Sequence, residues 1–256
     1  MDNGVQLYLD LLKKTLTNVI YEDPSNPAYP TGPADPRPHG DYDPTRRAGG
    51  EDWPLTAHTM VGLKRLDNVQ ECVERVLADN VPGDLIETGV WRGGVCIFMR
   101  GVLKAHGVHD RTVWVADSFQ GMPQVGPEGR PRDHRMKMHE FNDVLGIPLE
   151  QVRENFRRYD LLDESVKFLP GWFRDTMPTA PVERLAVLRL DGDLYESTMD
   201  VLENLYPKLS VGGYVIIDDY GLRTCAEAVH DYRDAHGITE EIVTVDKFGV
   251  YWRRTS

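Results

Sequence analysis

The stretch LRLDGDLYES, residues 188–197, begins as a buried strand should and then stops being one. Leu185, Val187, Leu188 and Leu190 are apolar, and then Asp191 and Asp193 arrive with one glycine between them. One structural unit later GGYVIIDDYG, residues 212–221, repeats the pattern and runs apolar into Asp218 and Asp219. Apolar runs, rather than clean alternations, are what a parallel sheet covered on both faces requires. Asp191 and Asp218 lie one strand–helix–strand crossover apart. That spacing can set two parallel strands side by side with their carboxyl ends at one edge.

Working outward from these two strands, the same rhythm extends over most of the chain. Strands are expected at 84–88, 112–117, 166–169, 185–190 and 213–218, with helices at 94–106, 149–161, 195–208 and 222–236. Two strand-like runs, 241–245 and 250–253, follow. A hairpin-length connection, Asp246-Lys247-Phe248-Gly249, separates them, so an antiparallel pair is expected after five parallel strands. Upstream, apolar residues at helical spacing predict helices over 5–20 and 56–80. Between them, residues 23–54 carry eight prolines and no periodicity, which reads as a long loop serving as a lid or a spacer. The charged segment 121–147 follows a strand end, where α/β sheets place functional loops. Residues 1–80 are thus expected to form an N-terminal helical extension and lid, and 81–256 the α/β core.

Composition narrows the function classes. The 256 residues, 41% of them hydrophobic, suit one large domain or one domain with an appendage. A net charge of −12 disfavours nucleic acid and anionic membrane as partners. Three scattered cysteines, Cys72, Cys96 and Cys225, lack metal-site spacing and point to a reduced, cytoplasmic protein. No apolar run reaches the roughly 18 residues of a membrane span. The N-terminus MDNGVQLYLD is neither basic nor followed by a cleavage-like site, so no signal peptide is expected.

In an open α/β sheet, ligands bind beyond the carboxyl ends of the strands. The first strand ends in Glu87-Thr88-Gly89-Val90-Trp91-Arg92-Gly93-Gly94, and the second in Asp117-Ser118-Phe119. The third ends in Pro170-Gly171-Trp172, the fourth in Asp191-Gly192-Asp193 and the fifth in Asp218-Asp219-Tyr220. The glycine spacing of the first is not that of a dinucleotide fingerprint. Glycines let a backbone approach a ligand closely, and Glu87 beside them suits an amino group. Asp117, at the second tip, suits ribose hydroxyls. An amino acid joined to a ribose describes S-adenosylmethionine. The alternative for Asp117 is a helix cap. At the fourth and fifth tips Asp191, Asp218 and Asp219 would repel one another unless a hard divalent cation, Mg²⁺ or Ca²⁺, lay among them. Asp193 reads instead as the cap of the helix starting at 195, and Asp219 has a capping alternative at 222. His58, His134 and His139 form no metal pattern.

Taken together, LIETGVWRGG, VWVADSFQGMP, LPGWFRDTMP, LRLDGDLYESTMD and GGYVIIDDYG resemble the macrocin O-methyltransferase family, whose members methylate sugar hydroxyls of macrolide and aminocoumarin antibiotics. The resemblance runs from YLDLL near residue 8 to VYWRR at 254, and residues 23–52 resemble the family's variable substrate-covering region. It implies a Rossmann-like methyltransferase core using S-adenosylmethionine and Mg²⁺. Asp191, Asp218 and Asp219 would ligate the metal, with Asp191 also the general base. Glu87, Thr88, Gly89, Gly93, Asp117, Ser118, Gly171 and Trp172 would form the cofactor site. The family implies a glycosylated small-molecule acceptor and a homodimer or larger assembly. Two rivals share parts of the pattern: a catechol-type O-methyltransferase acting on a phenol, and an S-adenosylmethionine-binding protein without turnover.

Overall fold

The computed structural model describes residues 3–27 and 40–256. The middle of the proline-rich segment, residues 28–39, lies outside them. Helix α1 (Asn3–Leu16) comes first, then α2 (Pro44–Gly49) and α3 (Leu63–Ala78). Strand β1 (Asp84–Thr88) opens the alternating part, followed by α4 (Gly94–Ala105), β2 (Val113–Asp117), α5 (Pro131–Met136), α6 (Leu149–Arg158) and β3 (Val166–Pro170). It continues through β4 (Leu185–Leu190), α7 (Tyr195–Leu205), β5 (Leu209–Ile217), α8 (Arg223–His236), β6 (Val243–Thr244) and β7 (Val250–Arg253).

The strands form one seven-stranded sheet in the order β3-β2-β1-β4-β5-β7-β6. β1 to β5 are parallel, β7 runs antiparallel to β5, and β6 antiparallel to β7. The chain reverses direction of growth between β1 and β4, the switch point at which such sheets open a ligand crevice.

The period-two pleat divides the core into two layers. Leu85, Val113, Val115, Val187 and Ile216 face α1, α3, α4 and α6, whereas Ile86, Ala116, Leu188, Val215 and Ile217 face α7 and α8. Leu9, Leu12 and Leu16 lie on one stripe of α1 and are 0–5% exposed, so α1 is an integral wall of the first layer. Its close approach needs Gly101 on α4, where a Cβ would sit 2.4 Å from Leu12 Cδ2. Burying side chains of that size is worth roughly 1.5–3 kcal/mol each.

Two expectations change. The 23–54 stretch is not wholly irregular: Asp43 caps α2, its Oδ1 accepting the N–H groups of Thr45 (2.8 Å) and Arg46 (3.0 Å), with Pro44 at the first helical position. The 56–80 helix starts only at Leu63, because residues 56–62 complete a strap, residues 50–62, that lines the site. Among the described residues no helix is long and apolar enough to cross a membrane.

Candidate active site

Residues i and i+2 of a strand share a face, and this places the chemistry. Glu87 is cross-strand from Arg189 in the β1–β4 register. Asp191 continues the Arg189 face, and Asp218 continues the Ile216 face of the neighbouring strand. All four therefore lie on the layer that carries α3. Arg189 is fully buried and donates to Glu87 Oε1, to Asp191 Oδ2 (2.8 Å) and to Asp218 Oδ1. From α3, Arg65 donates to Asp218 Oδ2, to Asp246 Oδ2 (3.1 Å) and to the Gly50 carbonyl (3.0 Å). Neither arginine was singled out in the sequence. For Arg189 the signal was available: a charge inside an apolar run is expected only where acids pair it.

Ligand oxygens of Asp191, Asp218 and Asp219 lie within 4.8 Å of one another. Glu87, Asp191, Asp193, Asp218, Asp219 and Asp246 thus gather around two guanidinium groups, an excess of negative charge in a poorly solvated place. Burial pushes Glu87 up to about 7 although Arg189 pulls it down. Burial, then Asp218, raises Asp191 to about 6, and burial, then Asp191, raises Asp193 to about 7. Asp219 is driven well above the carboxylate range by burial and then by Asp193 and Asp191. A hard cation with oxygen affinity fits this donor set, since it relieves the repulsion that otherwise favours protons.

Asp193 departs from the expected cap. It takes a left-handed conformation (φ 55°), donates its N–H to Asp219 Oδ2 (3.0 Å) and accepts Thr224 Oγ1 at its carbonyl (2.8 Å). The first turn of α7 is served instead by Asp133 of α5, whose carboxylate accepts the Tyr195 N–H at 3.2 Å. Asp219, held by Asp193, does not cap α8 with its side chain.

The other strand tips converge on the same crevice. Asp117 ties two of them, its Oδ2 accepting the Val90 N–H (2.8 Å) and its Oδ1 the Phe119 N–H (2.7 Å). It is no helix cap, and burial raises its pKa. Gly89 has φ +87°, and a Cβ there would lie 1.7 Å from the Asp191 carbonyl oxygen. Only glycine lets β1 turn so tightly beside the carboxylates. Two adjoining cavities share Gly89, Asp117 and Asp191. One, of about 190 Å³, also takes in Glu87, Asp193, Asp218, Asp219 and the apolar walls Trp53, Met60, Met138 and Phe248. The other, of about 270 Å³, is bounded by Ser118, residues 121–129 and Trp172.

Three other candidates line neither cavity. Thr88 is fully buried with its hydroxyl toward the Arg189 carbonyl, Gly93 packs on Val152 and Phe156, and Gly171 donates its N–H to the Asp117 carbonyl (2.9 Å). His58, on the strap itself, is bonded to Tyr159 (2.8 Å), and it too stands off the cavities, as do His134 and His139.

Comparison with known proteins adds an independent line. The family model described as Macrocin-O-methyltransferase (TylF) matches residues 5–254. A Streptomyces olivaceus protein, 8-demethyl-8-(2,3-dimethoxy-alpha-L-rhamnosyl)-tetracenomycin-C 4'-O-methyltransferase, is 63% identical over 255 residues, covering 100% of this chain and 95% of the relative. Mycinamicin III 3''-O-methyltransferase of Micromonospora griseorubida is 58% identical, covering 99% and 98%. Among solved structures, the O-methyltransferase NovP is 57% identical and superposes with a TM-score of 0.93 over 98% of this chain and 100% of that one.

Proposed function

The chain belongs to the macrocin O-methyltransferase family, and from that premise we propose that it methylates a deoxysugar hydroxyl of a glycosylated natural product, using S-adenosylmethionine and Mg²⁺. The observation that carries this reading is the placement of three converging carboxylate oxygens, within 4.8 Å of one another, in a cavity that also holds Gly89 and Asp117. When bound, the methyl donor supplies an activated sulfonium methyl, and the cation supplies positive charge that acidifies a hydroxyl.

The protein's own residues do the rest. Asp191, Asp218 and Asp219 hold the cation. Asp191 lines the cavity beside the proposed cation site with one oxygen fixed by Arg189, a position that suits its carboxylate to take the hydroxyl proton. Glu87 and the turn at Gly89 would receive the amino-acid end of the donor, Asp117 the ribose, and Ser118 and Trp172 would border the adenine. Thr88, Gly93 and Gly171 shape these tips from behind. Trp53, Met60, Met138 and Phe248 face the carboxylates, a pairing of apolar wall and polar floor that accommodates an aglycone beside its sugar. The rhamnosyl group in the name of the Streptomyces olivaceus relative agrees with a deoxysugar acceptor.

The test is a panel of rhamnosylated and other deoxysugar-bearing natural products, their aglycones and simple catechols, assayed with labelled methyl donor. Label should appear on glycosides and not on aglycones. Methylation of catechols alone would replace this reading by a phenol-directed one.

A further inference from the structure

We infer that Arg65 and Arg189, together with the Asp193 N–H on Asp219, clamp the carboxylate set so that no acid can grip an ion with both oxygens, which makes the site discriminate for a small six-coordinate divalent ion against Ca²⁺. The inference rests on the metal reading proposed above and concerns what the arginines do to it.

Oxygen by oxygen, the protein has already engaged these acids. Asp218 accepts Arg189 at Oδ1 and Arg65 at Oδ2. Asp191 accepts Arg189 at Oδ2 (2.8 Å), and Asp219 accepts the Asp193 N–H at Oδ2 (3.0 Å). A bidentate carboxylate turns both oxygens toward the ion. On Asp191 and Asp219 one oxygen of each pair is already spent. On Asp218 that grip would bring the ion close to two guanidinium charges at once. Asp191 and Asp219 each keep one free oxygen, and Asp218 can lend only the open lone pair of one guanidinium-bonded oxygen, so the set supplies three single donors at most. They leave about half of an octahedron for water and substrate, the habit of Mg²⁺ and Mn²⁺, whereas Ca²⁺ takes six to eight oxygens and often a bidentate acid.

Arg65 cannot readily swing aside. Its Nε is on Asp246 Oδ2 (3.1 Å), its Nη2 on the Gly50 carbonyl (3.0 Å), and the Phe248 ring lies 5.7 Å from its guanidinium. It is tied to the strap and to the β6–β7 hairpin together, and it reaches the metal cluster only through Asp218. It is therefore a positioning residue.

Mn²⁺ serves as the probe, read by electron paramagnetic resonance on the full chain, with Ca²⁺ as competitor. In the native protein Mn²⁺ should bind in preference to Ca²⁺ and carry about three exchangeable waters, counted in ¹⁷O-water. Arg65→Gln should shift the ratio of the two dissociation constants toward Ca²⁺ by about tenfold, the scale of effect seen when a residue that holds a metal ligand is lost. Arg65→Lys, which keeps a cationic donor, should stay nearer the native ratio. Lys247→Ala breaks an exposed Lys247–Glu51 bridge (3.4 Å) between the same strap and hairpin and should leave the ratio unchanged. Equal weakening of both ions in folded Arg65→Gln would overturn the clamp. So would one bound water or none on native Mn²⁺, a count that decides the matter even if the variant does not fold. A folded native protein that binds no Mn²⁺ would overturn the metal reading and the clamp together.

Discussion

Asp191 shares a guanidinium with Glu87 and Asp218 through Arg189, so its geometry is set before any ligand arrives. Its side chain is 24% exposed, open to the cavity on one side and fixed on the other. Asp191→Asn keeps the shape and removes the charge and the base. Turnover should fall by at least about 100-fold, while calorimetry should find S-adenosylhomocysteine affinity little changed. Activity within a few-fold of native in a folded variant would take the proton-accepting role away from Asp191. His58 gives a residue-scale prediction of another kind. Burial, reinforced by Arg158 and Arg92, lowers it from 6.5 to about 4. Its folded pKa is depressed, so its contribution to stability is complete above pH 6.5 and is lost as pH falls toward 4. The loss amounts to about 2–3 kcal/mol. Comparing urea unfolding of native protein and His58→Gln from pH 7 to 4 should show the native chain losing that much more stability than the variant. Parallel pH profiles would mean that His58 protonates without cost.

At the scale of elements, the strap over the site hangs on Arg47. This arginine is 1% exposed and donates to Asp52 from Nε (3.0 and 3.1 Å) and Nη2 (2.8 Å), to the Thr17 carbonyl (3.1 Å) and to the Asp23 carbonyl (2.7 Å). Asp52 and Trp53 then line the cavity. Arg47→Met leaves Asp52 buried without its counter-charge, a loss of the order of 3–5 kcal/mol. Hydrogen exchange at residues 52–57 should accelerate, with α4 still protected. Unchanged exchange in the strap would show that packing alone holds it. Part of this element was legible. Asp43 followed by Pro44 is a helix-start signature, yet the surrounding prolines obscured a helix of six residues. The arginine hub was not legible, because its partners come from Thr17, Asp23 and Asp52 and no local pattern joins them. Asp133 teaches the same lesson. It caps α7 from 62 residues away, so the local reading went to Asp193, which stood in the right place in sequence and turned the other way in space.

Across the whole molecule, what was legible is what repeats at a fixed period. Apolar runs bounded by acid or glycine located β1 to β5, and the crossover length set β4 beside β5, with Leu190 opposite Ile217 and the next residues Asp191 and Asp218 at one edge. The terminal antiparallel pair followed from a four-residue connection, and the observed β6 is only Val243–Thr244. What escaped was the ionic layer beneath the carboxylates. Arg189 was hidden inside an apolar run, and Arg65 sits 153 residues from the Asp218 it binds. Such pairings depend on how α3 packs on the sheet, which no single-chain periodicity encodes. Seen whole, the sheet's switch point, the glycine turn, Arg189 of β4 and Arg65 of α3 bring a dense negative cluster to one cavity. The requirement proposed for methyl transfer is a divalent cation held by Asp191, Asp218 and Asp219. It is tested most directly by following labelled methyl transfer to a glycoside acceptor after chelation and then after addition of Mg²⁺. Turnover should disappear with chelator and return with the metal, and full turnover in excess chelator would contradict the metal requirement.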